Sequence, residues 1–98
     1  ASIKCTISRS YRNMGYWLRD RPEIMDKLRA ACADAGVHAY DEPVRGGTDG
    51  SRLTERGLPT PNIFTGGHNA HGPLEWVAVQ DMERGVDVMV ALAKRWAE

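Results

Sequence analysis

The sequence has little cysteine, no excess of charge of either sign and no long apolar run. Its two cysteines, Cys5 and Cys32, form neither a CxxC pair nor a dense set, which argues against a disulfide-stabilised scaffold and favours a reduced, cytoplasmic protein. Thirteen basic residues balance thirteen acidic ones, so the chain lacks the positive field that nonspecific nucleic-acid or anionic-membrane binding needs. No apolar run approaches the ~20 residues of a spanning helix. We expect neither nucleic acid nor a membrane as a partner.

Three segments have the patterns of strands. Residues 2–9 alternate between apolar and polar side chains, while 37–40 and 61–65 are short runs bounded by proline or glycine. The connection after the first strand is unusually apolar at Tyr16, Trp17 and Leu18. We expect part of it to be buried.

Three further segments have the patterns of helices. The first runs from about residue 20 to 35, with capping-box spacing between Asp20 and Glu23 and with Gly36 as a left-handed stop. The second runs from Thr48 or Asp49 through Arg56, with Gly57 ending it. The third spans about 79–96 and carries one apolar stripe, formed by Val79, Met82, Val86, Met89, Val90 and Ala93.

The resulting order, β-α-β-α-β-α, is typical of an α/β fold with parallel strands under covering helices. Ligands in such sheets bind beyond the carboxyl ends of the strands. The glycine-rich segments RGGTDG (45–50) and TGGHNAHG (65–72) fall at these ends. This geometry would bring Arg45 and His71 to the same rim.

Arg45 offers a planar, permanently charged fork that fits a carboxylate or a phosphate, and Gly46 and Gly47 leave room for a ligand near the backbone. The alternative is an ordinary surface arginine before a helix. The start of that helix could also hold an anion through its free amides, although neither phosphate-binding motif is present.

His68 and His71 are three residues apart in a loop, where neutral imidazoles can bind a metal. Zinc needs three or four protein ligands, and no cluster of that kind accompanies them; local hydrogen bonding is the alternative. Glu75 could orient the His71 imidazole or simply begin a solvated turn. Cys32, on the apolar stripe of a predicted helix, is expected to be a small core side chain.

Taken together, the segments SYRNM (10–14), RGGTDG, GLPTPNIFTGGHNAHG (57–72) and EWV (75–77) resemble the C-terminal segment of the co-catalytic dizinc aminopeptidase and carboxypeptidase family. The resemblance covers essentially the whole chain. It implies a piece of a three-layer αβα zinc-peptidase catalytic domain, preceded by the last strand of a lid domain. Residues 1–19 would form the end of the lid domain and the connection back to the catalytic domain. Residues 20–98 would form the C-terminal part of the catalytic domain.

The resemblance also implies roles. His71 would be the last zinc ligand, and Arg45 would bind the carboxylate of a short peptide such as a tripeptide. Asn69, His68 and Glu75 would support or line the site, with His68 standing where relatives often have tyrosine. The other ligands of the two zinc ions and a general-base glutamate would lie upstream, outside this chain. The piece alone is therefore expected to be an inactive part of a tripeptidase-like hydrolase.

Two other interpretations stay open. The chain could be a free-standing α/β module that holds a small anion at Arg45. It could also associate with itself, because strands without partners leave free edges and apolar surface; Tyr16, Trp17 and Leu18 are then the expected contacts.

Overall fold

The structure is a computed structural model that describes residues 1–98. It contains four helices, α1 (Gly15–Leu18), α2 (Pro22–Asp34), α3 (Asp49–Glu55) and α4 (Val79–Ala97). A single two-stranded sheet, made of β1 (Gly67–His68) and β2 (Trp76–Val77), lies between α3 and α4. The three predicted helices are confirmed, and this mixture of helix and strand fits a piece of an α/β protein. None of the helices combines the length and the apolarity that crossing a membrane would need.

Helix α2 begins later than the capping pattern predicts. Arg21 is the N-cap and makes no side-chain capping bond, while Pro22 takes the first helical position, where its missing amide hydrogen costs nothing. Glu23 accepts a hydrogen bond from Nε of Arg21 at 2.9 Å and none from the amide of Asp20. The predicted capping box of Asp20 with Glu23 is therefore wrong, because the arginine beside the glutamate takes its carboxylate.

Helices α2 and α3 each end on a glycine in the left-handed conformation, as predicted. Gly36 has φ +72° after α2 and Gly57 has φ +100° after α3. The amide of Val37 donates to the carbonyl oxygen of Cys32 at 2.8 Å, which closes a Schellman motif at the end of α2. Each of these helix ends is determined by residues next to it in the sequence, and it can therefore be predicted from the sequence.

Helices α2 and α4 pack against each other and enclose the core. Leu28, Cys32 and Val88 are buried there, and Val88 is fully inaccessible. Arg95 fastens the ends of the two helices by donating from Nε and from Nη2 to the carboxylate of Asp34, at 2.7 and 2.8 Å. Partly buried side chains complete the cluster: Met25, Ala35, Val37, Ile63, Phe64 and Leu92.

The core is small for the length of the chain. Nine of the 98 residues are buried. The radius of gyration is 16.8 Å, whereas a compact domain of 100 residues has a radius of about 13 Å. The chain therefore leaves much of its apolar surface uncovered.

The three predicted strands do not form. Residues 2–9, 37–40 and 61–65 have no strand hydrogen bonding, and Ile3 and Ile7 are 96% and 91% exposed. A strand exists only when a neighbouring backbone completes its ladder, and this chain supplies no such neighbour to the three segments. The pair that does form is a hairpin in register Gly67 with Val77 and His68 with Trp76, which the sequence patterns did not predict.

The apolar stripe of α4 is not the face that the helix buries. Val88 and Leu92 turn towards α2, and the stripe lies to one side of that contact. Its side chains are 49–65% exposed at Val79, Met82, Val86, Met89 and Val90. The periodicity thus located the helix correctly but indicated a contact that the chain by itself does not provide.

Helix α1 forms the second half of the apolar connection between residues 11 and 18. Leu18 is 6% exposed and is therefore not available as a contact with a second copy. Trp17 packs edge-on against Tyr16 with ring centroids 4.8 Å apart. The guanidinium groups of Arg12 and Arg19 lie 4.4 and 4.8 Å from the Tyr16 ring centroid. Both therefore make cation–π contacts with this ring.

Candidate metal and substrate site

The second glycine-rich segment forms the hairpin β1–β2, with residues 69–75 as its loop. Gly66 precedes the hairpin with φ +75°, and a Cβ atom there would collide with the side chain of Asp81 in the first turn of α4. Only glycine satisfies both conditions. The hairpin is therefore seated directly against the beginning of the longest helix.

His71 stands in the loop of this hairpin and is exposed. Its φ is +65°, a conformation that non-glycine residues adopt uncommonly. The amide of Gly72 donates to the carbonyl oxygen of Asn69 at 3.1 Å, which closes a turn around His71. The imidazole makes no hydrogen bond within the chain. A strained backbone that presents a free imidazole to the outside is a feature of functional loops.

The other predicted residues of this segment lie around the loop. The ring of His68 stacks on the ring of Trp76 across the two strands, with centroids 4.3 Å apart and an interplanar angle of 16°. The amide of Glu75 donates to the carbonyl oxygen of Gly72 at 3.3 Å. The carboxylate of Glu75 makes no hydrogen bond to His71. His68 thus stiffens the base of the hairpin, and its ring is engaged with an aromatic neighbour.

The chemistry of His71 suits zinc, because a neutral imidazole nitrogen is one of the preferred ligands of that ion. The number of ligands does not suffice. No group of three or more His, Cys, Asp or Glu side chains in the chain could hold a metal ion, and zinc sites in proteins use three or four protein ligands. The donor that is present fits the metal, and it can contribute one bond to a site completed elsewhere.

Arg45 lies in the exposed loop between α2 and α3. Its guanidinium takes part in no ion pair or hydrogen bond, unlike those of Arg29 and Arg95, which bind carboxylates. Gly46 has φ +82°. The ring of Tyr11 lies on the next glycine, so that a Cβ atom on Gly47 would be 2.6 Å from the Tyr11 hydroxyl oxygen. The loop therefore keeps its arginine free while its backbone is held in place.

The start of α3 ties this loop to the segment that leads to the hairpin. Thr48 is the predicted N-cap, and its hydroxyl oxygen accepts a hydrogen bond from the amide of Ser51 at 3.3 Å. Nδ2 of Asn62 donates to the same hydroxyl oxygen at 3.2 Å. Gly50 is buried because the carbonyl oxygen of Thr60 and the side chain of Asn62 leave no room for a Cβ atom.

Arg45 and His71 are not joined in the chain by any hydrogen bond or ion pair. The rim that was expected to bring them together belongs to a parallel sheet, and the only sheet here is the antiparallel hairpin. Each residue is held by its own local structure, Arg45 in the loop before α3 and His71 in the loop of the hairpin.

The perturbed ionisable groups lie outside this region. Burial raises the pKa of the Cys32 thiol, so this cysteine stays protonated and serves as a core side chain, as expected. The side-chain hydrogen bonds from Arg95 lower the pKa of Asp34, which marks a structural ion pair between α2 and α4.

Two neighbours of the site were not recognised from the sequence. Tyr11 packs on the arginine loop, and Trp76 is the stacking partner of His68. Two short apolar or aromatic runs that flank a loop rich in Asn, Gly and Pro are typical of a hairpin. This signal would have located Trp76, whereas nothing in the pattern pairs Tyr11 with Gly47.

Comparison with known proteins gives consistent matches. The model of the peptidase family M20/M25/M40 matches residues 4–95. The chain is 46% identical over 97 residues to Peptidase T of Shewanella sediminis, 44% identical over 97 residues to Peptidase T of Exiguobacterium sibiricum and 47% identical over 94 residues to Peptidase T of Aeromonas salmonicida.

These matches cover 99%, 99% and 96% of this chain but 24%, 24% and 23% of the three relatives. The chain thus spans about a quarter of the length of the curated relatives it matches, and the matched part is their C-terminal region.

Proposed function

Because the chain belongs to the peptidase family M20/M25/M40, we propose that it forms the C-terminal part of a zinc-dependent aminopeptidase. The substrates of the complete enzyme are short peptides, tripeptides in particular, and the bond hydrolysed is the N-terminal peptide bond. The similarity to proteins named Peptidase T supports this assignment. The isolated piece has no activity, because one histidine cannot hold a co-catalytic pair of ions.

The observation that carries the proposal is the state of His71. Its backbone is held at φ +65° and its exposed imidazole has no partner within the chain. Glycine adopts positive φ without a steric cost, whereas histidine at φ +65° carries one, although it tolerates this conformation better than most residues. A histidine kept there is explained by a ligand for which the nitrogen is needed.

The residues of this chain have distinct tasks in the proposed enzyme. His71 supplies one nitrogen ligand to zinc, and the remaining ligands and the general base come from the rest of the protein. Zinc, when bound, lowers the pKa of a water molecule and stabilises the developing oxyanion. Arg45 binds the carboxylate of the peptide through two parallel hydrogen bonds, which sets the register of the scissile bond. Gly46, where a Cβ atom would meet nothing within 4 Å, lets the peptide backbone approach the loop.

The proposal also accounts for the three segments that lack partners. In a three-layer αβα catalytic domain, 37–40 and 61–65 join strands from the rest of the protein, and α2 and α4 cover one face of the sheet. Residues 2–9 form the last strand of the lid domain and likewise pair with strands from the rest of the protein. The exposed apolar side chains of Ile3 and Ile7 and of the α4 stripe support this arrangement, because each would be covered by it.

The experiment that tests the proposed role of His71 uses the full-length protein. We expect His71→Ala to lower the bound zinc below two ions per chain and to abolish tripeptide hydrolysis. His38→Ala is the matched control, because it removes the one histidine of this chain that lies outside the hairpin segment. Normal zinc content and normal turnover in His71→Ala would refute the assignment.

The role of Arg45 predicts a different kinetic result. Arg45→Ala should raise KM for tripeptides while the zinc content stays normal, because the fork binds the substrate and not the metal. Arg56→Ala, which removes another exposed arginine without an ion pair, is the control. Robust hydrolysis by the 98-residue chain supplied with zinc would overturn the proposal that it is an incomplete part of the enzyme.

A second behaviour is proposed for the chain when it is produced alone. The α4 stripe exposes 49–65% of five apolar side chains along one helix, and a contiguous patch of this kind favours association. Two copies would cover their stripes mutually. Size-exclusion chromatography at rising concentration tests this, and a single monomer peak throughout would contradict it.

A further inference from the structure

The loop that carries His71 is closed at its neck by one side chain. Nδ2 of Asn69 donates to the carbonyl oxygen of Leu74 at 3.2 Å. The carbonyl oxygen of Asn69 itself accepts from the amide of Gly72 at 3.1 Å. No other side chain within residues 69–75 makes a hydrogen bond. Asn69 therefore connects both sides of the loop, with His71 between its contacts.

The backbone of Asn69 is also in the left-handed conformation, with φ +57°. Together with His71 at φ +65°, it places two such residues on either side of Ala70. Asparagine tolerates this conformation and can also donate from its side chain to nearby backbone. Glycine would meet the first requirement only, and a serine or glutamine would meet the second at a steric cost.

The base of the hairpin is fixed independently of Asn69. The rings of His68 and Trp76 are stacked across the strands at 4.3 Å, and the backbone pairs hold the register. Loss of the Asn69 hydrogen bond would therefore release the 69–75 loop without opening the strands. The consequences of that loss can be measured on the loop alone.

We propose that Asn69 is a positioning residue for His71. Its left-handed backbone and its hydrogen bond to Leu74 fix the direction in which the imidazole leaves the hairpin before the metal binds. A preset ligand loses less conformational freedom on binding than a mobile one, and groups that orient a metal ligand commonly change metal affinity when they are removed. The inference rests on the proposed role of His71 as a zinc ligand.

The test compares Asn69→Gly with Asn13→Gly in the full-length protein. Glycine at position 69 keeps the left-handed backbone accessible and removes the side-chain amide, and the added backbone freedom of glycine is shared by the control variant. Asn13 is the matched control, since its Oδ1 makes a single hydrogen bond to the amide of Gly15 at 2.8 Å, far from the hairpin in sequence. Zinc dissociation constants come from chelator competition, and the geometry of the ligands comes from the visible spectrum of the cobalt-substituted protein.

In Asn69→Gly we expect the zinc dissociation constant to rise about tenfold and the cobalt spectrum to change at saturation. KM for a tripeptide should stay unchanged in the saturated enzyme, because Arg45 is untouched. The melting temperature of the metal-free protein should change no more than in Asn13→Gly, whose metal affinity and spectrum stay as in the parent protein.

A parental dissociation constant and spectrum in Asn69→Gly would overturn the positioning role. So would a weaker zinc affinity accompanied by unfolding of the metal-free protein, since Asn69 would then be structural. These outcomes differ from the failure of the proposed function. That failure is seen when His71→Ala itself retains the full zinc content.

Discussion

Replacing His71 by alanine or by glycine removes the same imidazole but leaves the loop backbone under different strain. The residue sits at φ +65°. Alanine at this position keeps the steric conflict of an L-residue in the left-handed conformation, whereas glycine has no Cβ atom and escapes it. The two variants therefore separate the free-energy cost of the backbone conformation at position 71 from the effect of removing the imidazole.

The expected size of the difference follows from two opposing contributions. The left-handed conformation costs an L-residue about 1–2 kcal/mol. Glycine loses more conformational freedom on folding than alanine does, which costs about 0.5–1 kcal/mol. The free energy of unfolding of His71→Gly should thus exceed that of His71→Ala by about 0.75 kcal/mol, the difference between the midpoints of the two ranges. His71→Gly should also be at least as stable as the parental chain, because histidine carries the same conflict.

Urea denaturation of the metal-free 98-residue chain, followed by tryptophan fluorescence, measures these free energies. Zinc binding in the full-length protein should be equally impaired in both variants. Two results would refute the reasoning: a His71→Gly chain that is clearly less stable than the parent, or a His71→Ala chain as stable as His71→Gly. Either would mean that the loop is not strained at position 71.

Three further predictions concern the rest of the fold. Gly85→Ala should raise the free energy of unfolding by about 1 kcal/mol, because a Cβ atom there meets nothing within 4 Å; no gain in urea denaturation would show that this face of α4 is covered. Arg95 lowers the pKa of Asp34 through their hydrogen bonds, so the stability that this pair provides is present above the ordinary carboxyl pKa of about 4 and is lost as pH falls through the lowered value. Asp34→Asn should therefore destabilise the chain at neutral pH and approach the parent in strong acid, and a difference that is independent of pH would contradict this. Met82→Glu with Met89→Glu should keep the isolated chain monomeric in size exclusion at concentrations where the parent associates, and unchanged association would place the contact elsewhere.

The helices were predictable because the signals that make them are local. Thr48 caps α3 with its own hydroxyl, and Gly36 and Gly57 adopt the positive φ that ends α2 and α3. The apolar repeat located α4 within a residue of its observed limits. The start of α2 failed for a local reason too, since Arg21 competes for the Glu23 carboxylate.

The strands were not predictable in the same sense, because a strand depends on a partner that its own sequence does not contain. The alternation at residues 2–9 describes the two faces that a sheet would give these side chains. In this chain both faces are exposed. The hairpin forms where the partner is close along the chain, with Gly67 and His68 facing Val77 and Trp76.

The candidate site shows the same division. The sequence patterns made His71 and Arg45 candidates on the basis of side-chain chemistry and the neighbouring glycines. They could not identify the left-handed backbone at Asn69 and His71, because positive φ at a non-glycine residue is set by the closed loop around it. They also could not join His71 to Arg45, since the parallel sheet expected to align them does not form in this chain.

The exposed apolar stripe on α4 and the failure of the three predicted strands to form have one physical cause. Met82, Val86 and Met89 repeat with helical periodicity although α2 does not cover them, and Ile63 and Phe64 are only partly buried against the core. An apolar helix face and an apolar extended segment on the same small core are the two complementary surfaces of a helix packed on a sheet. The proposed function accounts for both the uncovered surface and the single candidate zinc ligand, because in it the neighbouring strands and the other ligands come from the same part of the full-length protein.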